Sequence, residues 1–377
     1  MSDPPAARPR PLSERWLALR NRLVASPRFQ RWAAGFPLTR RIARGNTRAL
    51  FDLCAGFVYA QVLTACIRLD LFSILAEGPM TIEALAVRLG LPPEKARTLL
   101  LAARSLDLIR ALPDGRFALA DLGAAVTGNP GIAAMVEHHA LLYADLADPV
   151  ALLQGRTERT RLSSYWPYAE GGAVAPGEAA PYGALMGTSQ AMIAQDIIEA
   201  CDLRGIRHWM DVGGGEGAFL EAAAPHLPGR RLTLFDLPAV AERAGARLGR
   251  VGLGDRIACI GGDFHTGLPE GADAISLVRV LHDHDDAPVR ALLRAAYAAL
   301  APGGRLVIAE PMAGTPGAEP VGDAYFGFYL LAMGSGRPRT ADELSRLAHE
   351  AGFAATKERK TRRPLLARVL VAHKTGR

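Results

Sequence analysis

The chain has 377 residues, 49% hydrophobic and 22% charged, with a formal net charge of +6. That length holds two or so domains with ample cores. Cys54, Cys66, Cys201 and Cys259 stand apart with no CxxC pair, which fits a reducing cytosol and excludes a disulfide framework. No stretch reaches about 18 uninterrupted apolar residues, and the N-terminus is too polar for a signal peptide. The expectation is a cytoplasmic protein that does not span a membrane.

The charge is concentrated at the start. Residues 1–48 carry eleven arginines, no lysine, and only Asp3 and Glu14 as acids, a local +9. Trp16, Leu19, Leu23, Phe29, Trp32 and Phe36 are interspersed among them. Such an arm fits peripheral contact with the inner face of a membrane, arginines toward anionic headgroups and aromatics in the interface. A solvated arm, or one packed on a partner subunit, fits the same pattern.

Residues 49–180 read as a helical, winged-helix-like domain. Phe51, Cys54, Val58, Val62, Ala65, Leu69 and Phe72 make one long apolar stripe. Two short helices follow, with start signals at Thr81 and at Pro92-Pro93, and then a hairpin over residues 111–119 turning at Asp114-Gly115. A winged helix can read DNA, but the second helix offers only Lys95, Arg97 and Arg104, thin for phosphate neutralisation. With a cofactor domain behind it, dimerisation is the expected role and nucleic acid is not an expected partner. A Gly/Pro-rich connection over residues 171–182 leads to a helix starting near Met186.

Residues 181–377 read as a Rossmann-like, doubly wound α/β domain. His208 to Val212 is a strand, Gly213-Gly214-Gly215-Glu216-Gly217 a turn, and Ala218 onward a helix, so a ligand can lie against bare backbone. About 20 residues later the strand Leu232–Phe235 ends in Asp236, a carboxylate suited to ribose hydroxyls. The glycines miss the G-x-G-x-x-G dinucleotide pattern, and Asp211 and Glu216 would repel a pyrophosphate. Those acids favour a ligand bearing an ammonium and a sulfonium, S-adenosylmethionine, over NAD. A third strand at Ile257–Ile260 precedes Asp263, placed to accept from an adenine amino group, and Phe264, placed to stack on the ring. The strand Ala274–Leu281 carries Arg279, a further cofactor candidate, and opens into His282-Asp283-His284-Asp285-Asp286. A helix from Pro288 and a strand from Arg305 to Ala309, ending at Glu310, complete the alternation. The acidic loop after His282 is read as a solvated helix start, and no metal is expected. Tyr325, Phe326, Phe328, Tyr329 and Met333 lie in an aromatic stretch able to line an apolar pocket.

The run Asp211-Val212-Gly213-Gly214-Gly215-Glu216-Gly217, Asp236-Leu237-Pro238, Gly262-Asp263-Phe264, Leu281-His282-Asp283 and Ala301-Pro302-Gly303-Gly304 resembles the class I S-adenosylmethionine-dependent O-methyltransferases of the plant caffeate and animal acetylserotonin type. The resemblance runs from about Leu50 to the C-terminus. It implies a helical N-terminal domain that dimerises and helps close the partner's substrate pocket, giving a homodimer. It places Gly213, Gly215 and Gly217 against the methionine part, Asp236 at the ribose, and Asp263 and Phe264 at the adenine. His282 matches the general base and Glu310 a carboxylate that holds its tautomer; Met186 matches a pocket residue, and Phe326, Tyr329 and Met333 are further substrate candidates. There is one departure. Where plant relatives have a second glutamate, this chain reads Gly336-Arg337-Pro338-Arg339-Thr340, so one buttress is missing. His284 stands where those enzymes have tryptophan. The segments Trp32–Arg44 and Ala49–Leu63 further resemble the carotenoid-methylating members of this family in purple phototrophic bacteria, which implies transfer to the tertiary hydroxyl at carbon 1 of an acyclic carotenoid. Polyketide, phenolic and bacteriochlorophyll-precursor acceptors keep the same cofactor motifs.

Overall fold

The computed structural model describes residues 11–165, 190 and 193–376. The chain divides into two compact units, Met1–Thr127 and Gly128–Arg377.

In the first unit, α1 (Leu12–Ala25), α2 (Pro27–Gly35) and α3 (Arg40–Arg68) precede α4 (Leu71–Ala76), α5 (Ile82–Leu89), α6 (Pro93–Ser105), β1 (Ile109–Ala111), β2 (Phe117–Leu119) and α7 (Asp121–Thr127). From Leu12 onward the arm is therefore helical. Thr81 caps α5 by accepting from the Ala84 N–H, as its sequence signal predicts, and α6 starts behind the proline pair. The β1–β2 hairpin turns at Gly115, whose φ of +84° needs glycine. The single stripe expected through Phe72 is broken: Asp70 sits in the left-handed region at φ +57°, ending α3 and restarting the chain as α4. Cys66, Leu71, Phe72, Leu75, Leu85, Leu100 and Phe117 form the core here, whereas Phe51, Leu53, Phe57 and Val58 of α3 are exposed. By length and composition α3 is also apolar enough to cross a membrane, with a window of mean hydropathy 1.7, although no uninterrupted apolar run produces it.

The second unit begins earlier than expected. Residues 128–165, assigned from sequence to the helical domain, fold as α8 (Pro130–Asp145), α9 (Pro149–Leu153) and α10 (Arg161–Tyr165) onto the sheet-bearing unit. The reason is long-range polar pairing on a shared core. His138 Nε2 lies 2.9 Å from the Tyr329 hydroxyl, His139 Nε2 lies 2.8 Å from that of Tyr325, and Thr160 donates to the Ala332 carbonyl. Leu142, Leu152 and Leu162 pack with Leu330 and Met333. The Gly/Pro-rich connection and Met186 lie outside the described residues.

After the helical residues 193–200 (α11) come β3 (His208–Val212), α12 (Ala218–Ala223), β4 (Arg231–Asp236), α13 (Pro238–Arg250), β5 (Ile257–Gly261), β6 (Ala272–Val278), α14 (Asp286–Ala299) and β7 (Leu300–Glu310). A π-helical turn (Pro320–Phe326) runs into α15 (Gly327–Met333), followed by α16 (Ala341–Glu350), β8 (Ala355–Arg359) and β9 (Arg368–His373). The sheet order is β5-β4-β3-β6-β7-β9-β8, parallel except where β9 runs against β7 and β8. Every residue of β3 is buried, as a strand covered on both faces requires. The order reverses between β3 and β6, so a crevice opens at their carboxyl ends.

Candidate functional site

The glycine turn after β3 is shaped by three positive φ angles: +68° at Gly213, +55° at Gly215 and +81° at Gly217. A Cβ at Gly213 would press on Val280 at 2.8 Å and one at Gly217 on Leu248 at 2.9 Å, so both are packing requirements. At Gly215 a Cβ would meet nothing within 4 Å. That bare position is the open floor of the crevice.

Two carboxylates flank this floor. Asp236 braces the turn, one oxygen accepting from the Gly215 N–H at 2.8 Å and the other from the Leu237 N–H at 2.7 Å. Burial raises its pKa, against the pull of those amides. Asp211, at 1% exposure, accepts from the Ser276 hydroxyl through Oδ1, while Oδ2 is buried without a hydrogen-bond partner among the described residues. Burial pushes its carboxyl up to about 7, opposed by Ser276 and reinforced by Asp236. A buried carboxylate oxygen with nothing to accept suits a cationic ligand group arriving at the turn. Glu216, read from sequence as a second such acid, is otherwise engaged: Arg247 donates to its carbonyl and lies 4.0 Å from its carboxylate.

Farther along the crevice, Asp263 is exposed and its carboxylate accepts from the His265 N–H, closing a local turn. Phe264 is half-buried, its ring 4.3 Å from that of His265 and edge-on to His284 at 5.5 Å. Burial pushes His284 down to about 4, and the neighbouring His282 and His265 add to the effect. Arg279 adopts φ +57°, rare for a side-chain-bearing residue, and its guanidinium sits over the Phe326 ring at 5.8 Å.

His282 and Glu310 are brought together as the sequence predicts. His282 Nδ1 lies 2.5 Å from Glu310 Oε2, while Glu310 Oε1 accepts from the Val280 and Leu281 N–H groups at 3.0 and 2.7 Å. The Phe326 ring stands edge-on to the imidazole at 5.7 Å. Sequence reasoning missed a third group: Asp283 Oδ1 approaches Nε2 to 3.2 Å. Burial alone would lower the His282 pKa, but Asp283 and Glu310 outweigh it and the net shift is upward. Asp283 is itself pushed up to about 6 by burial. The imidazole is thus oriented through one nitrogen and made more basic by two carboxylates.

The segment around the missing glutamate braces this loop by other means. Arg339, 2% exposed, donates to the Leu281 and His284 carbonyls and to Asp286. The Ser335 hydroxyl donates to the Asp283 carbonyl and the Gly336 N–H to Asp285. Gly336, at φ +79°, approaches so closely that a Cβ would lie 2.1 Å from the His282 carbonyl oxygen. No local sequence pattern announces this strap, because its partners lie more than fifty residues upstream. Of the apolar candidates, Phe326 borders the imidazole, Tyr329 bonds His138, and Met333 is buried against α8 to α10. No group of three or more metal-ligating side chains is assembled among the described residues.

This architecture is shared with known proteins. The O-methyltransferase domain family matches residues 143–354, and the O-methyltransferase dimerisation domain family matches residues 51–128. The chain is 47% identical to the demethylspheroidene O-methyltransferase of Cereibacter sphaeroides over 93% of both chains. It is 32% identical to the acetylserotonin O-methyltransferase of Mus musculus, over 84% of this chain and 86% of that one. The crystal structure of human N-acetylserotonin methyltransferase in complex with SAM superposes with a TM-score of 0.71 at 25% identity, covering 88% of this chain and 98% of its own. The chain belongs to the S-adenosylmethionine-dependent O-methyltransferases, with a helical dimerisation domain ahead of a Rossmann-like catalytic domain.

Proposed function

We propose that this enzyme methylates the tertiary hydroxyl at carbon 1 of an acyclic carotenoid, acting as a homodimer in spheroidene formation. The observation that carries the reading is the apolar, aromatic wall beside the base. Phe326 abuts His282, and the half-buried Tyr325 ring stands edge-on to it at 5.0 Å, backed by the buried Tyr329. A long polyene with one hydroxyl end needs this pairing of an apolar surface with a single proton acceptor. The names of the 47% and 41% identical relatives support the same acceptor.

S-adenosylmethionine, when bound, would supply the electrophilic methyl, its sulfur keeping the electron pair of the methyl–sulfur bond and leaving as the neutral thioether. In the proposed roles Asp211 receives the cofactor's ammonium, Gly213, Gly215 and Gly217 leave room for its methionine part, Asp236 accepts from the ribose, and Asp263 and Phe264 border the adenine. Arg279 holds the Phe326 ring beside the base. His282, held by Glu310, takes the acceptor's proton at Nε2. An aliphatic alcohol has a pKa near that of water, about 15.7, against about 6.5 for histidine, a gap of about 12 kcal/mol. Full deprotonation before attack is therefore excluded, and His282 receives the proton late, as the new carbon–oxygen bond acidifies the oxygen. The two carboxylates that raise its basicity narrow this gap, which answers the absence of the second glutamate.

Asp211→Asn separates binding from stability. The raised folded pKa means that ionised Asp211 costs stability, a cost absent below the unfolded value near pH 4 and complete above about 7. The variant is expected to melt higher than wild type, with the advantage growing by a few kcal/mol between about pH 5 and pH 8. Its S-adenosylmethionine affinity should fall about tenfold or more, through loss of a charged hydrogen bond. Thermal melts at both pH values and titration calorimetry read the two effects.

The function is tested by incubating the protein with methyl-labelled S-adenosylmethionine and a detergent-dispersed 1-hydroxy carotenoid. A methoxy carotenoid seen by mass supports the proposal. Cofactor binding with turnover only on phenolic or tetrapyrrole acceptors overturns it.

A further inference from the structure

We propose that α1, α2 and the first turns of α3 form a docking surface for an anionic lipid bilayer. On α1, Leu12, Trp16, Leu19 and Leu23 recur at helical spacing and are 80%, 65%, 57% and 46% exposed. Arg15 and Arg22 flank one side of that stripe and Arg20 the other, from where their stems lie along the apolar surface and their heads reach headgroups. On α2 the rings of Phe29, Trp32 and Phe36 form a ladder, with centroids 5.6 and 4.9 Å apart, beside Arg28 and Arg31.

The charge fits this occupant. Nine arginines stand exposed over residues 11–48, Glu14 is the one acid there, and among the described residues the single ion pair they make is Arg48 with Asp52. Two copies meeting through this surface would oppose like charges, so it is poorly suited to self-association. The partner subunit has its own ground: the dimerisation family match starts at residue 51, where exposed Phe51, Leu53, Phe57 and Val58 lie. The proposal goes beyond the acceptor's identity and does not depend on it.

The test is flotation of the full chain with vesicles of phosphatidylcholine alone and with about 30% phosphatidylglycerol, at about 0.1 M and about 0.5 M salt. Wild type should float with the mixed vesicles and bind phosphatidylcholine at least about fivefold less, with binding reduced at the higher salt. R15Q/R20Q/R22Q should weaken partitioning at least tenfold, since each arginine near such a surface contributes about fivefold. As a readout free of any variant, brominated lipid should quench wild-type tryptophan fluorescence through Trp16 and Trp32. Wild type remaining with the soluble fraction in both vesicle types overturns the proposal. So does a folded triple variant that floats like wild type. Conversion of dimer to monomer by the triple variant, with no lipid binding by wild type, would assign the surface to a second copy instead.

Discussion

His282→Ala is expected to lower kcat by about 100- to 10,000-fold while leaving the S-adenosylmethionine Kd within about twofold of wild type. The reason is spatial. The imidazole contacts Glu310, Asp283 and Phe326, whereas the glycine turn and Asp211 are built from β3, β4 and Ser276 without it. Single-turnover rates with calorimetric titration separate the two quantities, and near wild-type turnover would remove His282 from the chemistry. Glu310→Gln sharpens the test. Glutamine can still accept from the Val280 and Leu281 amides, but its NH2 offered to Nδ1 favours the tautomer with the proton on Nε2, where it cannot act as base. The variant should therefore fold and bind cofactor, yet turn over slowly. The pH profile carries a further signature: because the His282 pKa is raised, the acid limb of kcat should lie above that of an ordinary histidine. Asp283→Asn should move that limb downward.

What was legible in the sequence is what local chain geometry encodes. Gly213, Gly215 and Gly217 follow a buried strand and precede a helix, and Asp236 ends the neighbouring strand, so their convergence follows from parallel pairing of β3 with β4. His282 and Glu310 likewise end adjacent parallel strands or the turn beyond them. Interactions that reach across the fold were hidden. The engagement of Glu216 depends on Arg247, on α13, and the membership of α8 depends on tyrosines in the aromatic stretch near residue 327. The absent second glutamate looked like a defect because the alignment of motifs says nothing of Asp283, adjacent in sequence to His282 yet turned toward Nε2 by the short helical turn Leu281–Asp283.

Arg339→Met is expected to destabilise the protein by about 2–4 kcal/mol, because two backbone carbonyls lose the donor that a buried guanidinium supplied, while its ion pair is with the part-exposed Asp286. The guanidinium joins three points of the His282 loop at once: the Leu281 carbonyl at 2.7 Å, the His284 carbonyl at 2.8 Å and Asp286 at 2.7 Å. Methionine fills much of the volume but supplies no donor, so both carbonyls lose a partner. Lysine should rescue only part of the loss, because one ammonium cannot reproduce a planar fork spread over separate acceptors. Arg339 and then Arg337 hold the Asp286 carboxyl down at about 2, so this contribution is present above the unfolded carboxylate value near pH 4 and is lost as pH falls toward 2. The difference in melting temperature between wild type and variant should accordingly narrow over that interval, and a constant gap would mean that the pair with Asp286 contributes nothing. Below its melting temperature the variant should lose kcat more than cofactor affinity, since Arg339 holds the loop that carries the base and touches neither Asp211 nor Asp236. Equal loss of both would reduce its role to general stability.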